Sequence, residues 1–435
     1  MENFFKLKER NTTVGKEIVG GITTFLAMSY ILAVNPGILE QSGMPWGSVF
    51  TATAVSAAFA TLVMAFCANM PVALAPGMGL NAFFTYTVVQ GMGCSWQFAL
   101  TAVLLEGILF ILLSLVGIRE AIIRSIPTSL KKAVAVGIGL FITIIGLANA
   151  GIISTDLGTP LGFVSFNRAH ASALVAVLGL IITIILYIMK VPGSVLVGIA
   201  LTTLIGIPFG VTAIPDDWKG PLSTPEAPLM FKFEWGHVLS VKFAVVFFTF
   251  LFTDMFDTIG TLMGVAEQSG LKDKEGNMLN AKGALLSDAL GTVAGACMGT
   301  STVTSFVEST SGIAAGARTG LASVVTAALF LFALFFSPIF ALIPSAATAP
   351  ALIFVGFLMM KAITSINFSD PTEGIPTFIA VMTMPFSYSI SNGIAWGVIS
   401  YVICKVAGKR TKDIPAVTWA LAAIFLADII FEAVK

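Results

Sequence analysis

Charge is what this sequence has least of. Of 435 residues, 23 are basic and 23 acidic, 11% in all, where soluble chains average about 25%. A soluble fold of this length exposes more polar surface than so few charges can cover, which excludes an ordinary cytosolic enzyme. The balanced charge excludes a nucleic-acid binder with a basic field, and 57% apolar residues exclude a disordered chain. Histidine occurs twice, at His170 and His237, both outside the apolar runs, so no histidine-based metal site or triad is available. The four cysteines (Cys67, Cys94, Cys297, Cys404) have no metal-ligand spacing and read as small apolar residues of helices. Neither a metal nor a cofactor is expected. A cleavable leader is not expected either: with Lys6, Lys8, Glu9, Arg10 and Lys16, the N-terminus is polar for too long before the first apolar run.

Long apolar runs are what the sequence has in plenty. Its mean hydropathy is +0.95. The runs are continuous rather than alternating, which points to membrane helices and away from a β-barrel. Fourteen spans are predicted: 18–35, 47–69, 79–91, 96–117, 133–150, 171–189, 193–210, 242–266, 283–299, 304–317, 319–342, 349–365, 374–388 and 390–408. The stretch 414–434 carries Asp428 and Glu432 at helical spacing and would suit an interfacial helix as well as a crossing one. Lys and Arg gather at the N-terminus and in the even-numbered loops (Arg119, Arg124, Lys131, Lys132; Lys190; Lys272, Lys274, Lys282; Lys361; Lys405, Lys409, Arg410, Lys412). Under the positive-inside rule this places the N-terminus in the cytoplasm of a multi-pass protein of a bacterial-type plasma (inner) membrane.

The two halves resemble each other. Ile126-Pro127-Thr128 opens a segment with Val136-Gly137, and Ile343-Pro344-Ser345 opens one with Val355-Gly356. The Gly-rich run from Ala75 to Asn81 has its counterpart in the run from Gly299 to Glu308. Seven spans per half is an odd number, so the second copy must be inverted. Inverted repeats with short, Gly/Pro-interrupted segments in matching places point to a secondary transporter with its site where the broken segments meet.

Ionisable groups at membrane depth are functional candidates. Glu106, Asp254, Asp257, Asp288 and Glu308 qualify, and almost no mid-span Lys or Arg offsets them. Carboxylates without a cationic partner there either take a proton or bind a cation, which argues for proton or sodium coupling. Asp254 and Asp257 share one helix face. Glu308 follows a hydroxyl-rich, β-branched run, 300–305, that reads as extended backbone leading into a half-helix, with Glu308 in its first turn. In the mirror segment Gly77 and Gly79 allow close backbone approach and Asn81 supplies an amide. Glu106 and Asp288 read equally well as bonds between helices.

At these residues the chain resembles a known family. The segments APGMGLNAFF (75–84), FTDMFDTIGTLMGVAEQSG (252–270) and STVTSFVESTSGIAAGARTG (301–320) are similar to those of the AzgA-like purine permeases, a branch of the nucleobase/ascorbate transporter superfamily. The resemblance implies an all-α membrane fold of 14 helices in two inverted seven-helix repeats, with the third and tenth spans broken by short central strands. It implies a core domain (14–118 and 242–342) and a gate domain (119–241 and 343–435), with elevator-like movement of the core. It implies a homodimer in membrane lipid that takes up hypoxanthine, guanine or adenine with protons. Carried over by position, the substrate-binding residues are Gly79, Asn81, Asp257 and Glu308, and the proton-coupling residues Asp257, Asp254 and Glu308. Phe83 and Phe306, and beside them Phe84 and Phe256, are near enough in sequence to stack on a flat base. Glu308-Ser309 stands where the wider superfamily often carries Gln-Asn or Glu-Asn, which in this resemblance fits the purine branch rather than uracil or ascorbate transporters.

Other readings stay open at this point. An anion exchanger of the related sulfate-transporter type would share the fold, and a uracil or xanthine transporter would share the superfamily. An intramembrane aspartyl protease would need a Gly-x-Gly-Asp motif, which the sequence lacks. A channel would not show saturable, gradient-driven uptake.

Overall fold

The structure, a computed structural model, describes residues 2, 4–116, 127–154, 161–215, 218, 220–269 and 280–434. Arg119, Arg124, Lys272, Lys274 and Ile126 lie outside the described residues, as do the side chains of Phe256, Asp428 and Glu432. Among the described residues, eight helices are long and apolar enough to cross a membrane, and shorter ones lie between them.

The first span is interrupted. Helix α1 (Val14–Met28) is capped by the Thr13 hydroxyl, which accepts from the Lys16 N–H, and α2 (Ile31–Leu39) resumes after Ser29 and Tyr30. Pro36 sits inside α2, so the span runs past its expected end at residue 35. Prolines are tolerated in membrane helices because neighbours satisfy the freed carbonyl groups. Helix α3 (Trp46–Val63) widens over 64–68 and stops at Asn69 in the left-handed region (φ 50°), which Asn tolerates better than most residues.

Strand β1 (Leu74–Pro76) leads through Gly77 into the half-helix α4 (Met78–Ala82), which continues in wider turns to Gly91. Helices α5 (Trp96–Val116) and α6 (Thr128–Asn149) follow, then a small hairpin of β2 (Ile153–Ser154) and β3 (Gly162–Phe163), then α7 (Ala171–Ile188) and α8 (Ser194–Gly206). The second half starts with α9 (Val241–Ser269) and α10 (Ala281–Met298). Strand β4 (Val303–Ser305) leads into the half-helix α11 (Ser309–Ala314). Helices α12 (Gly320–Ala333), α13 (Ser337–Ala341), α14 (Ser345–Met360), α15 (Pro371–Ser387), α16 (Ile390–Ala407) and α17 (Ala416–Val434) complete the chain.

The repeat motifs fall at equivalent places. Pro127 is the N-cap of α6 and Pro344 the N-cap of α14, and these two helices pack against each other. Strands β1 and β4 pair antiparallel, Leu74 opposite Ser305, Ala75 opposite Thr304 and Pro76 opposite Val303. An inverted repeat brings its two broken segments together in this way. Isolated strand edges at membrane depth would leave backbone groups without partners, and the pairing satisfies them. The third and tenth spans are therefore broken and extended before Asn81 and Glu308, as expected.

Two sets of helices pack among themselves. In one, α1 lies against α11 and α12, and α10 lies against α3 and α5. In the other, α6 packs on α14 and α15, α14 on α7 and α8, and α15 on α16. The stretch 414–434 forms α17, which lies on α16 and α9. The loop over 220–240 crosses the ends of the first set: the Phe231 N–H donates to the Cys297 carbonyl (2.8 Å) and the Glu234 N–H to the Thr101 hydroxyl (2.8 Å). At the other end of the second set, Asp370 caps α15. Its carboxylate accepts from the Thr372 hydroxyl and N–H and from Arg410, which hold its pKa down to about 2.

Glu17 is a buried carboxylate outside the expected set. Its oxygens accept from the backbone N–H groups of Arg318 (2.8 Å), Thr319 (3.2 Å) and Ala322 (3.3 Å) at the start of α12, and from the Thr12 hydroxyl (2.8 Å). It caps one helix from another. Glu17→Ala strands buried donors, each worth about 1–3 kcal/mol, so the expected outcome is a clearly lower melting temperature of the purified protein in detergent.

Candidate functional site

The site grows from the β1–β4 pair. The Gly77 N–H donates to the Thr302 carbonyl (3.0 Å) and the Phe306 N–H to the Ala73 carbonyl (3.0 Å), so the ladder extends one bond beyond each strand. Asn81 and Glu308 follow the two strands at opposite ends of the ladder. Asn81 is fully buried on α4, and its carbonyl oxygen accepts from the Ser301 hydroxyl. The Asn81 amide nitrogen has no protein partner among the described residues.

Glu308 is the N-cap residue of α11 rather than a member of its first turn, and its side chain makes no capping bond. The carboxylate accepts from the Tyr30 hydroxyl at 2.6 Å, in the range of charge-assisted O–H···O bonds. Asp257 reaches the site from α9. A side chain on Gly77 would put its Cβ 2.6 Å from Thr304 Cγ2 and 3.6 Å from Asp257 Oδ2. Gly77 is therefore required by the closeness of β4, and its bare backbone lies under the Asp257 carboxylate.

The other expected residues take different places. The space a side chain on Gly79 would need is filled by Ile138 of α6, 2.5 Å from the would-be Cβ, so Gly79 serves the approach of α4 to α6. Asp254 is fully buried one turn from Asp257. It shares the Thr258 hydroxyl (3.3 Å) with Asp288 of α10 (2.8 Å), and the Thr304 hydroxyl of β4 joins the same group (2.8 Å). Glu106 of α5 accepts from the Thr302 hydroxyl at 3.1 Å. Glu106 thus ties α5 to the start of the second broken segment, and Asp288 ties α10 to α9, whose Thr258 hydroxyl meets Thr304 of β4. Phe83 is fully buried with its ring edge-on to Phe250 (4.8 Å), Phe84 is likewise buried near Phe250 (6.4 Å), and Phe306 is 6% exposed at the end of β4.

Sequence reasoning missed Tyr30, Asn35 and Ser301. Asn35 donates to the Thr53 hydroxyl (2.7 Å) and the Thr300 hydroxyl (2.9 Å), which ties α2 and α3 to the lead-in of β4. The signal was present as uncharged polar residues in Ser29-Tyr30-Ile31-Leu32-Ala33-Val34-Asn35-Pro36, but a search for ionisable groups passes over them.

The segments that build this site, 17–118, 243–271 and 283–317, contain neither lysine nor arginine. An amide, two acids and a strand pair can therefore hold a neutral, flat, hydrogen-bonding molecule that brings its own N–H donors. They are poorly suited to an anion.

A sequence profile described as "Permease family", for xanthine/uracil-type permeases, matches residues 15–396. The chain belongs to this family. It is 44% identical to the guanine/hypoxanthine permease PbuG of Bacillus subtilis, over 99% of this chain and all of that one. It is 41% identical to the adenine permease AdeP of Escherichia coli, over 99% of this chain and 96% of that one. Among solved structures, the transmembrane domain of the cyanobacterial bicarbonate transporter BicA superposes with a TM-score of 0.66 at 18% identity, covering 87% of this chain and 97% of that one. That likeness shows the fold. The chain is a multi-pass integral membrane protein of a permease family and a transporter rather than an enzyme.

Proposed function

We propose that this protein imports purine nucleobases (hypoxanthine, guanine or adenine) by proton symport. The observation that supports the reading is the pairing of β1 with β4, which lead to Asn81 and Glu308, with Asp257 beside Gly77, in segments without a lysine or arginine. The N1–H and N2–H₂ edge of guanine offers two donors side by side to one carboxylate, and hypoxanthine offers N1–H. Asn81 serves an acceptor elsewhere on the ring through its unpartnered amide nitrogen. Phe306 lies against the bound ring. The names of the relatives agree: guanine/hypoxanthine and adenine permeases. The fold is shared with a bicarbonate transporter, so it is the site and not the fold that favours a purine over an anion.

In this reading Asp257 carries the coupling proton and Glu308 accepts the substrate N–H groups, with Asp254 tuning Asp257 from one turn away. The core comprises 14–118 and 242–342 and moves as an elevator against a gate of 119–241 and 343–435. The two separately packed helix sets support this division. The protein works as a homodimer in a bacterial-type inner membrane, with its N-terminus in the cytoplasm.

Uptake of labelled hypoxanthine into proteoliposomes tests the reading. It should saturate, fall when the proton gradient is collapsed, ignore sodium, and be competed by purines. Competition by sulfate or bicarbonate instead, or drive by a sodium gradient at constant pH, would overturn it.

A further inference from the structure

We infer that Tyr30 is a positioning residue for substrate recognition: its hydroxyl fixes one oxygen of Glu308 so that the other is presented to the purine. The inference rests on the assignment of Glu308 as the acceptor of substrate N–H groups and extends it to a residue that contacts the acid rather than the base.

Four observations carry it. The Tyr30 hydroxyl donates to Glu308 Oε1 at 2.6 Å, and it is the side chain that donates to Glu308 among the described residues. Tyr30 is 1% exposed, so the hydroxyl side of this bond is shielded from water. Its backbone is held at the junction of α1 and α2, where its carbonyl accepts from the N–H groups of Ala33 and Val34, both at 3.0 Å. The fourth is the backbone-to-backbone contact of α1 with α11. A Cβ on Gly20 would lie 2.9 Å from the Gly312 carbonyl oxygen, and one on Gly312 would lie 2.4 Å from that of Gly20. No side chain fits at these two glycines, so main-chain contact sets how closely α1, which leads to Tyr30, approaches α11.

A glutamate has three side-chain torsions, and Glu308 forgoes the capping bond that would have held it to its own helix. Without Tyr30 the incoming base would have to order the carboxylate itself. Fixing a side chain of this length costs an association about 0.5–1.5 kcal/mol, which is roughly 3- to 10-fold in affinity. Guanine is not blocked by the arrangement. A carboxylate oxygen has two lone-pair sites, so Oε1 can accept from Tyr30 and from the N2–H₂ group together while Oε2 accepts from N1–H.

A double-mutant cycle on the full-length protein separates this role from plain packing. Affinities for guanine and hypoxanthine are measured for the parent, Tyr30→Phe, Glu308→Gln and the double variant, with detergent melting curves as the control for folding. Tyr30→Phe keeps the ring and should weaken binding roughly 3- to 10-fold, whereas in the Glu308→Gln background, where no second carboxylate oxygen is left to present, it should cost clearly less. If Tyr30→Phe does not accumulate, Tyr30→Met, which also lacks the hydroxyl, takes its place in the cycle. Additive losses, or parental affinity in Tyr30→Phe beside an impaired Glu308→Gln, would overturn the positioning role while leaving the site intact. Parental affinity in Glu308→Gln would overturn the site assignment and this inference with it.

Discussion

Glu308→Gln should lower the affinity for guanine and hypoxanthine roughly 10- to 100-fold and leave the protein folded. The range is that of one charge-assisted hydrogen bond, on the order of 1.5–3 kcal/mol. The substituted amide keeps the length of the side chain and one acceptor oxygen, and Tyr30 can still donate to that oxygen. What the variant loses is the second acceptor and the charge. It presents an NH₂ group to the N1–H of the base, donor against donor. The loss should be larger for guanine, which uses both oxygens, than for hypoxanthine, which uses one. Isothermal titration of the purified protein checks both the size of the loss and this order. The architecture should survive, because Glu308 makes no capping bond to α11.

Asp257→Asn should abolish uphill accumulation of purine while exchange remains measurable. The carboxylate lies over the bare backbone of Gly77 at the mouth of the strand pair, on a helix that has no lysine or arginine between 243 and 271. An acid without a cationic neighbour at that depth is the kind of group that gains and loses a proton as its surroundings change. An amide cannot do so. The variant should equilibrate labelled hypoxanthine across proteoliposomes at a rate indifferent to collapse of the proton gradient, whereas the parent concentrates it. Accumulation that persists in Asp257→Asn would move the coupling proton to another acid, and the group of Asp254 and Asp288 around Thr258 would be next to examine. Coupled acids titrate as a set, so the roles of Asp257 and Glu308 are separable only by reading accumulation and affinity independently.

Much of the fold was legible because a bilayer imposes few solutions. Continuous apolar runs locate helices, and the proline-led openings at Ile126-Pro127 and Ile343-Pro344 locate the repeat, with both prolines at helix N-caps. The broken segments were legible for a similar reason: a run of Thr, Ser and Val between glycines favours strand over helix. Helix ends were less legible. Helix α6 begins at Thr128, ahead of the expected start at Ala133, because Lys131 and Lys132 lie on the helix with half-buried stems rather than in a loop.

The candidate site was legible in its acids but not in what holds them. Asp257 and Glu308 announce themselves as charges in apolar sequence. Tyr30 and Asn35 do not, since neither is ionised at neutral pH and each matters only through a partner in the other half of the chain that the sequence does not reveal. Glu17 is not among the acids singled out in the sequence, and only the arrival of α12 on α1 shows that it caps a distant helix. Gly77 and Gly79 could not be ranked from sequence. Their absent side chains face Thr304 and Ile138 respectively, and that difference is tertiary.

A structure of the protein with guanine bound tests the central claim most directly. The account predicts the base across the β1–β4 pair, its N1–H and N2–H₂ groups within hydrogen-bond distance of Glu308, Asn81 on another edge of the ring and Tyr30 still bound to Glu308 Oε1. Guanine lodged instead in the crevice of about 720 Å³ between α2 and α14, beside Trp46, Glu40 and Glu226 and out of reach of Glu308, would contradict it.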